Sequence, residues 1–204
     1  MTTFEHKTYH RHILEKFLKK HAHLIGGTVL DIGSKNRRYD SWFSGTITAV
    51  DLEPNFAANV LYGDVEEGLN FSDQSFESII CLEVFEYLEN YQKAISEIYR
   101  LLKPGGGAFI SIPFMYHEHG DKMRFTKNFL SKQFSQFSSA KIENIGNAYT
   151  TIWDILRKKW LLGRGGWRGS LIWYFVLLPL LYLIKPHENL EDKYYSGLFI
   201  ILRK

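Results

Sequence analysis

The chain has 204 residues, 45% of them hydrophobic, with 25 basic against 22 acidic side chains and a formal net charge of +3. This composition excludes a disordered chain, and its mildly basic balance permits a nucleic acid or an anionic membrane without demanding either. A single cysteine, Cys81, excludes an internal disulfide framework and a cysteine-based zinc cluster, and points to a reducing, cytoplasmic setting.

The first residues lack the apolar core of a secretory signal. Apolar positions in residues 4–24 take helical spacing towards Leu24, and Gly26-Gly27 stops that helix. Thr28 to Ile32 reads as a buried strand and residues 37–44 as a short helix. Ile47 to Asp51, Asn59 to Tyr62 and Phe76 to Leu82 read as further strands. Over 89–102, Tyr91, Ala94, Ile95, Ile98 and Leu102 fall on one helical face, and the Lys103-Pro-Gly-Gly-Gly107 run ends it. Ala108 to Ile112 is a fifth strand. Tyr195 to Leu202 reads as a strand, with Lys141 to Ile145 able to pair with it. Strand and helix alternating at this spacing predict an α/β fold, a Rossmann-like, doubly wound, mostly parallel sheet with an antiparallel C-terminal strand. The whole chain is expected to be one domain, with an aromatic, basic and apolar insertion at about 148–193.

In such a sheet, ligands sit beyond the carboxyl ends of the strands. The first strand runs into Asp31-Ile-Gly33-Ser34, an acid followed by a glycine turn that lets backbone approach a ligand. Asp51 ends the second strand, where an acid suits ribose hydroxyls. A third acid stands at Asp64, beside Val65. The Gly-x-Gly-x-x-Gly pattern would need glycine at 35 and 38, which are Lys35 and Arg38, so a nicotinamide or flavin site fits poorly.

The pieces VLDIGS at 29–34, AVDLEP at 49–54, YGDVEE at 62–67, FSDQSFESIICLEVFEYLEN at 71–90 and RLLKPGGGAFISIP at 100–113 together resemble the core of a class I S-adenosylmethionine-dependent methyltransferase of the small bacterial type 11 group. The resemblance implies a seven-stranded sheet and S-adenosyl-L-methionine as cofactor. By the same resemblance, Asp31, Gly33 and Ser34 line the methionine and ribose end, Asp51 takes the ribose hydroxyls, and Leu52 packs on adenine. Asp64 reaches the adenine amino group beside Val65, and Cys81, Leu82 and Glu83 lie beneath the cofactor. Two positions depart from the pattern: Lys35 replaces a second glycine, and Tyr87 stands where histidine is usual. They motivate a second reading, a non-catalytic binding or scaffold protein with this fold.

The loop after the fifth strand, Pro113 to Thr126, lies over the donor methyl by fold logic. His117 and His119 are candidate bases for an oxygen acceptor. With Asp121 they make an incomplete metal-ligand set, and no metal is expected. Tyr87, Tyr116, Asp121 and Arg124 are candidate acceptor contacts, Asp121 and Arg124 equally a pair that fixes the loop. The loop also resembles bacterial methyltransferases of surface glycans and lipid-linked intermediates, which implies a sugar or lipid-linked precursor as the small-molecule acceptor. Cys81 reads as a small buried hydrophobe.

Between Thr151 and Ser170, Arg157, Lys158, Lys159, Arg164 and Arg168 interleave with Trp153, Trp160 and Trp167. The uncharged run Leu171 to Ile184 follows, fourteen residues against the roughly 20 a spanning helix needs. The stretch 157–184 therefore suits peripheral contact with the inner face of an anionic membrane. A core helix or a homodimer face are the competing readings. Nucleic acid is not an expected partner, because the charge is local and the apolar run is unsuited to it.

Overall fold

The computed structural model describes residues 8–115, 118–161 and 193–204, with side chains left aside for 156–161. Expectations that fall on Tyr116, on His117 and on 171–184 lie outside the described residues. Seven strands form one sheet: β1 (Thr28–Ile32), β2 (Thr46–Asp51), β3 (Val60–Tyr62), β4 (Phe76–Leu82), β5 (Leu102–Pro113), β6 (Ser139–Ile145) and β7 (Gly197–Arg203). Their order is β3-β2-β1-β4-β5-β7-β6. Neighbours from β3 through β5 are parallel, and β7 runs antiparallel to both β5 and β6. The doubly wound sheet with its reversed C-terminal strand is as the sequence pattern predicts. Ile142↔Ile200 and Ile145↔Gly197 set the register of the outer pair.

The helices are α1 (Tyr9–His21), α2 (Tyr91–Leu101), α3 (Lys127–Gln133) and α4 (Ala148–Leu161). Side-chain oxygens start three of them: Thr8 accepts from the Arg11 amide, Asn90 from Lys93 and Thr126 from Phe129. On one sheet face, Ala94, Ile95, Ile98 and Leu101 of α2 and Leu130 of α3 bury against Leu30, Ile79, Ala108, Ile110 and Ile200. On the other, Leu14 and Leu18 of α1 cover Val29, Ile80, Phe109 and Phe199.

The expected helix over 37–44 is absent: one 3-10 turn, Asp40–Trp42, stands there. Its segment is held instead by Arg37, whose guanidinium donates to Asp40 Oδ2 at 2.6 Å and to the carbonyls of Asn59 and Ile47. Arg37 sits in the left-handed region, at φ 49°, a conformation that would break a helix. The fifth strand begins earlier than its apolar run suggests. Leu102 pairs with Phe76, and after a register shift Gly107 pairs with Ser78, so the glycine run is a bulge within the strand.

The N-terminus of α1 is fastened from α4. The Asp154 carboxylate accepts the Tyr9 amide at 2.7 Å and the His10 amide at 2.8 Å, both orphan donors of a first helical turn. Asp154→Ala is expected to lower unfolding free energy by about 1–2 kcal/mol, read as a lower urea midpoint at unchanged slope.

Candidate functional site

The carboxyl ends of β1 and β4 open into a cavity of about 500 Å³, within the usual range for a small-molecule site. Of the residues singled out in the sequence, Asp31, Gly33, Ser34, Lys35, Leu82, Glu83, Tyr87 and His119 are among those that line it. At Gly33 φ is 78°, and an added Cβ would lie 2.3 Å from Val84 Cγ2. Only glycine therefore makes this turn, with its amide donating to the Val50 carbonyl at 2.8 Å.

The acids at the two strand ends behave differently. Burial pushes the Asp31 carboxyl up to about 7, a shift that the Ser34 hydroxyl partly opposes. Burial acts in the same sense on Glu83, but there it is outweighed. His10 Nε2 lies 3.2 Å from Glu83 Oε2 and the Ser111 hydroxyl donates to Oε1 at 2.7 Å. With Arg11 nearby, these hold Glu83 below the usual carboxylate range. Glu83 is itself left-handed, at φ 57°, so the backbone reverses directly after β4 to aim this side chain inward.

Asp51 closes β2, half-buried, and one of its oxygens accepts the Glu53 amide at 2.9 Å. Leu52 is 59% exposed, an apolar side chain turned outwards beside it. Asp64 is fixed by the Glu66 amide at 2.8 Å. These three stand outside the ring of cavity-lining residues, across the ends of β2 and β3. Val65 and Cys81 are core residues at 4% and 0% exposure, and burial pushes the thiol well above its usual value, as suits a small hydrophobe. Lys35, the first departure from the family pattern, directs its ammonium to Glu53 on the surface.

The acceptor loop folds back on the turn after β4. The amides of Lys122 and Met123 both donate to the Glu86 carbonyl. Asp121 receives His119 Nδ1 at 2.8 Å on one oxygen and Arg124 Nε at 2.5 Å on the other, and Arg124 also reaches the Phe114 carbonyl. The Arg124 bond above all holds Asp121 well below the usual carboxylate range. Tyr87 lies on the His119 ring, 5.5 Å between centroids, where the usual family residue would be a second imidazole.

Four residues of the site carry no local signal in the sequence. His10 and Arg11 belong to an ordinary amphipathic helix, yet α1 brings both to the cavity wall. There the Arg11 guanidinium donates to the Tyr39 hydroxyl at 2.9 Å. Ser111 and Ser196 are small polar residues of buried segments that meet only through the sheet. A glycine cradle without room for a Cβ, two buried acids and a guanidinium suit a zwitterionic, cationic ligand such as S-adenosyl-L-methionine. Asp31, Gly33, Ser34 and Arg11 would hold its amino-acid part and Asp51 its ribose.

Comparison with known proteins agrees with this geometry. Residues 30–110 match the family described as a methyltransferase domain. The chain is 29% identical over 122 residues to a sterol 4-C-methyltransferase of Caenorhabditis elegans, covering 49% of this chain and 34% of that protein. It is 41% identical over 66 residues to a ubiquinone biosynthesis O-methyltransferase of Rickettsia conorii, covering 32% and 22%. The chain thus spans about a third or less of these relatives' length. In fold it is similar to a SAM-dependent methyltransferase from Archaeoglobus fulgidus, with TM-score 0.63 and 16% identity over 95% of this chain and 94% of that one.

The site also makes a stability prediction. Burial first, then repulsion from Glu83, raises the Glu86 carboxyl from 4.5 to about 8. The folded state therefore keeps a proton that the unfolded chain loses. Stability from this group is full below the unfolded value, declines as pH rises, and is gone above about 8. Glu86→Gln is expected to flatten the fall of the urea midpoint between about pH 5 and pH 9, leaving the smaller share due to Asp31.

Residues 30–110 thus match a methyltransferase domain, and the seven-stranded sheet around them has a fold similar to that of a SAM-dependent methyltransferase of known structure.

Proposed function

We propose that this protein transfers a methyl group from S-adenosyl-L-methionine to an oxygen of a small-molecule acceptor. The observation that carries the reading is the His119–Asp121 pair at the rim of the cavity that Asp31, Gly33 and Glu83 line. The donor, when bound, supplies a sulfonium-activated methyl, so the protein's work is alignment of acceptor with donor.

A hydroxyl acceptor is a weak nucleophile until its proton is drawn off. Asp121, kept ionised by Arg124, accepts a hydrogen bond from His119 Nδ1–H, which leaves Nε2 as the nitrogen that receives the acceptor's proton. Arg124 is a positioning residue here: it fixes Asp121 and, through the Phe114 carbonyl, the two ends of the loop. Tyr87 packs on the imidazole and limits its rotation. Lys35 stands in the cavity lining with its ammonium paired to Glu53, so its charge is met at the surface end of the site.

For the acceptor we propose a sugar or lipid-linked glycan precursor met at the inner membrane face, with 157–184 as peripheral contact. Relatives named for sterol and ubiquinone chemistry make a lipid-borne acceptor reasonable. Among the described residues, no helix is long and apolar enough to cross a membrane. Co-sedimentation with anionic liposomes tests the contact. Failure to pellet, with dimers in solution, assigns the apolar run to a homodimer face instead.

Asp51→Ala is expected to weaken calorimetric binding of S-adenosylhomocysteine by about tenfold, the loss of one charge-assisted hydrogen bond. His119→Ala is expected to keep that affinity and to lower methyl transfer from radiolabelled donor into lipid and glycan extracts by about 100-fold or more. Unchanged transfer by His119→Ala overturns the base assignment. No binding of the homologue to folded protein overturns the donor site.

A further inference from the structure

Among the described residues, Glu86 is a buried carboxyl that the catalytic reading does not use. Its residue is 0% exposed, and among the described residues no other residue hydrogen-bonds to either carboxylate oxygen. A buried carboxyl is ordinarily paired, because leaving an acceptor orphaned costs about 1–3 kcal/mol and a charge costs more. Glu86 nonetheless contributes to the cavity wall, one turn after Glu83 and directly under the loop that carries His119.

The groups facing it explain why it stays neutral when the cavity holds no cation. Burial comes first, then Glu83 and, less strongly, Asp121 from the loop repel a second negative charge; the residue's own backbone amide and Arg124 oppose them without prevailing. That guanidinium is already engaged by Asp121 and by the Phe114 carbonyl. Cys81 near the end of β4 and the Tyr87 phenol on the other side bring no positive charge: burial first, and the surrounding acids second, raise both groups. The missing counter-charge is therefore positive, and its place is the junction between the donor floor and the acceptor loop. Of the two forms of the cofactor, only S-adenosyl-L-methionine brings a sulfonium; its demethylated product carries a neutral thioether.

We propose that Glu86 senses the charge of the donor: it releases its proton to solvent when the sulfonium form binds, keeps it when the thioether product binds, and so favours exchange of product for fresh donor. This inference rests on the donor reading proposed above. The proton balance is simple: the neutral carboxyl becomes a carboxylate, one proton passes to bulk water, and no bond in the ligand changes. By linkage, whatever favours the carboxylate favours the sulfonium ligand by the same factor.

The test measures dissociation constants of S-adenosyl-L-methionine and S-adenosylhomocysteine by calorimetry from about pH 6 to pH 9, in two buffers of different ionisation enthalpy. In the native protein the preference for the sulfonium form is expected to rise at least about threefold across that range, with more proton released by that ligand than by the thioether, since Asp31 meets the amino-acid part common to both. Glu86→Gln, which keeps the shape of the neutral acid, is expected to bind both ligands with a ratio independent of pH. A flat ratio in the native protein overturns the proposal, and so does an equal slope in Glu86→Gln. Absence of binding by either compound to folded protein is a different failure, that of the donor site itself.

Discussion

Glu83 ties the molecule together. Its carboxylate joins the end of β4 to β5 through Ser111 and to α1 through His10, and His10 in turn meets Ser196 just before β7. A carboxylate at this depth survives only because these partners offset its loss of water. The left-handed backbone that aims it inward is held by its own amide, which donates to the Ser111 carbonyl at 2.9 Å. The cavity wall, the placement of α1 and the turn that carries Glu86 and Tyr87 all follow from this arrangement.

Around that anchor the site sorts its acids by environment. Glu83 has donors and stays charged, Asp31 has one hydroxyl and sits near neutrality, and Glu86, with no other described residue bonded to its carboxyl, is the most weakly acidic of the three. On the rim, Asp121 has both an imidazole and a guanidinium and is firmly ionised. Four carboxyls close together thus avoid four mutually repelling charges. The resulting gradient puts the permanent anion beside His119 on the rim and the protonated acid deep in the cavity wall.

Much of this was legible in the sequence wherever function rides on short range. Asp31, Gly33 and Ser34 lie within one turn, and the strand-ending acids announce themselves by spacing. His119, Asp121 and Arg124 fall within six residues, so one loop suffices to join them. The contacts that escaped the sequence are those made by topology. His10 reaches Glu83 across 73 positions and Asp154 reaches the start of α1 across 144. No periodicity marks them, because a polar residue on a buried face reads as an error in the pattern until its partner is known. The helix expected over 37–44 failed for a related reason: Arg37 spends its hydrogen-bonding capacity on distant carbonyls and takes a positive φ to do so.

The sheet order has a consequence for how the chain assembles. The strand latest in sequence, β7, lies between β5 and β6, with Ile110↔Ile200 on one side and Ile142↔Ile200 on the other. Until β7 arrives, β5 has an open edge and β6 has no ladder partner. The parallel half from β3 to β5 can form as the nascent chain emerges, whereas closure of the sheet waits for the segment after α4 to be made. A single residue lost from β7 would shift every inward side chain of that strand to the opposite face, and with neighbours on both sides it would break two ladders at once, so the strand that closes the sheet is also the one least free to change its length.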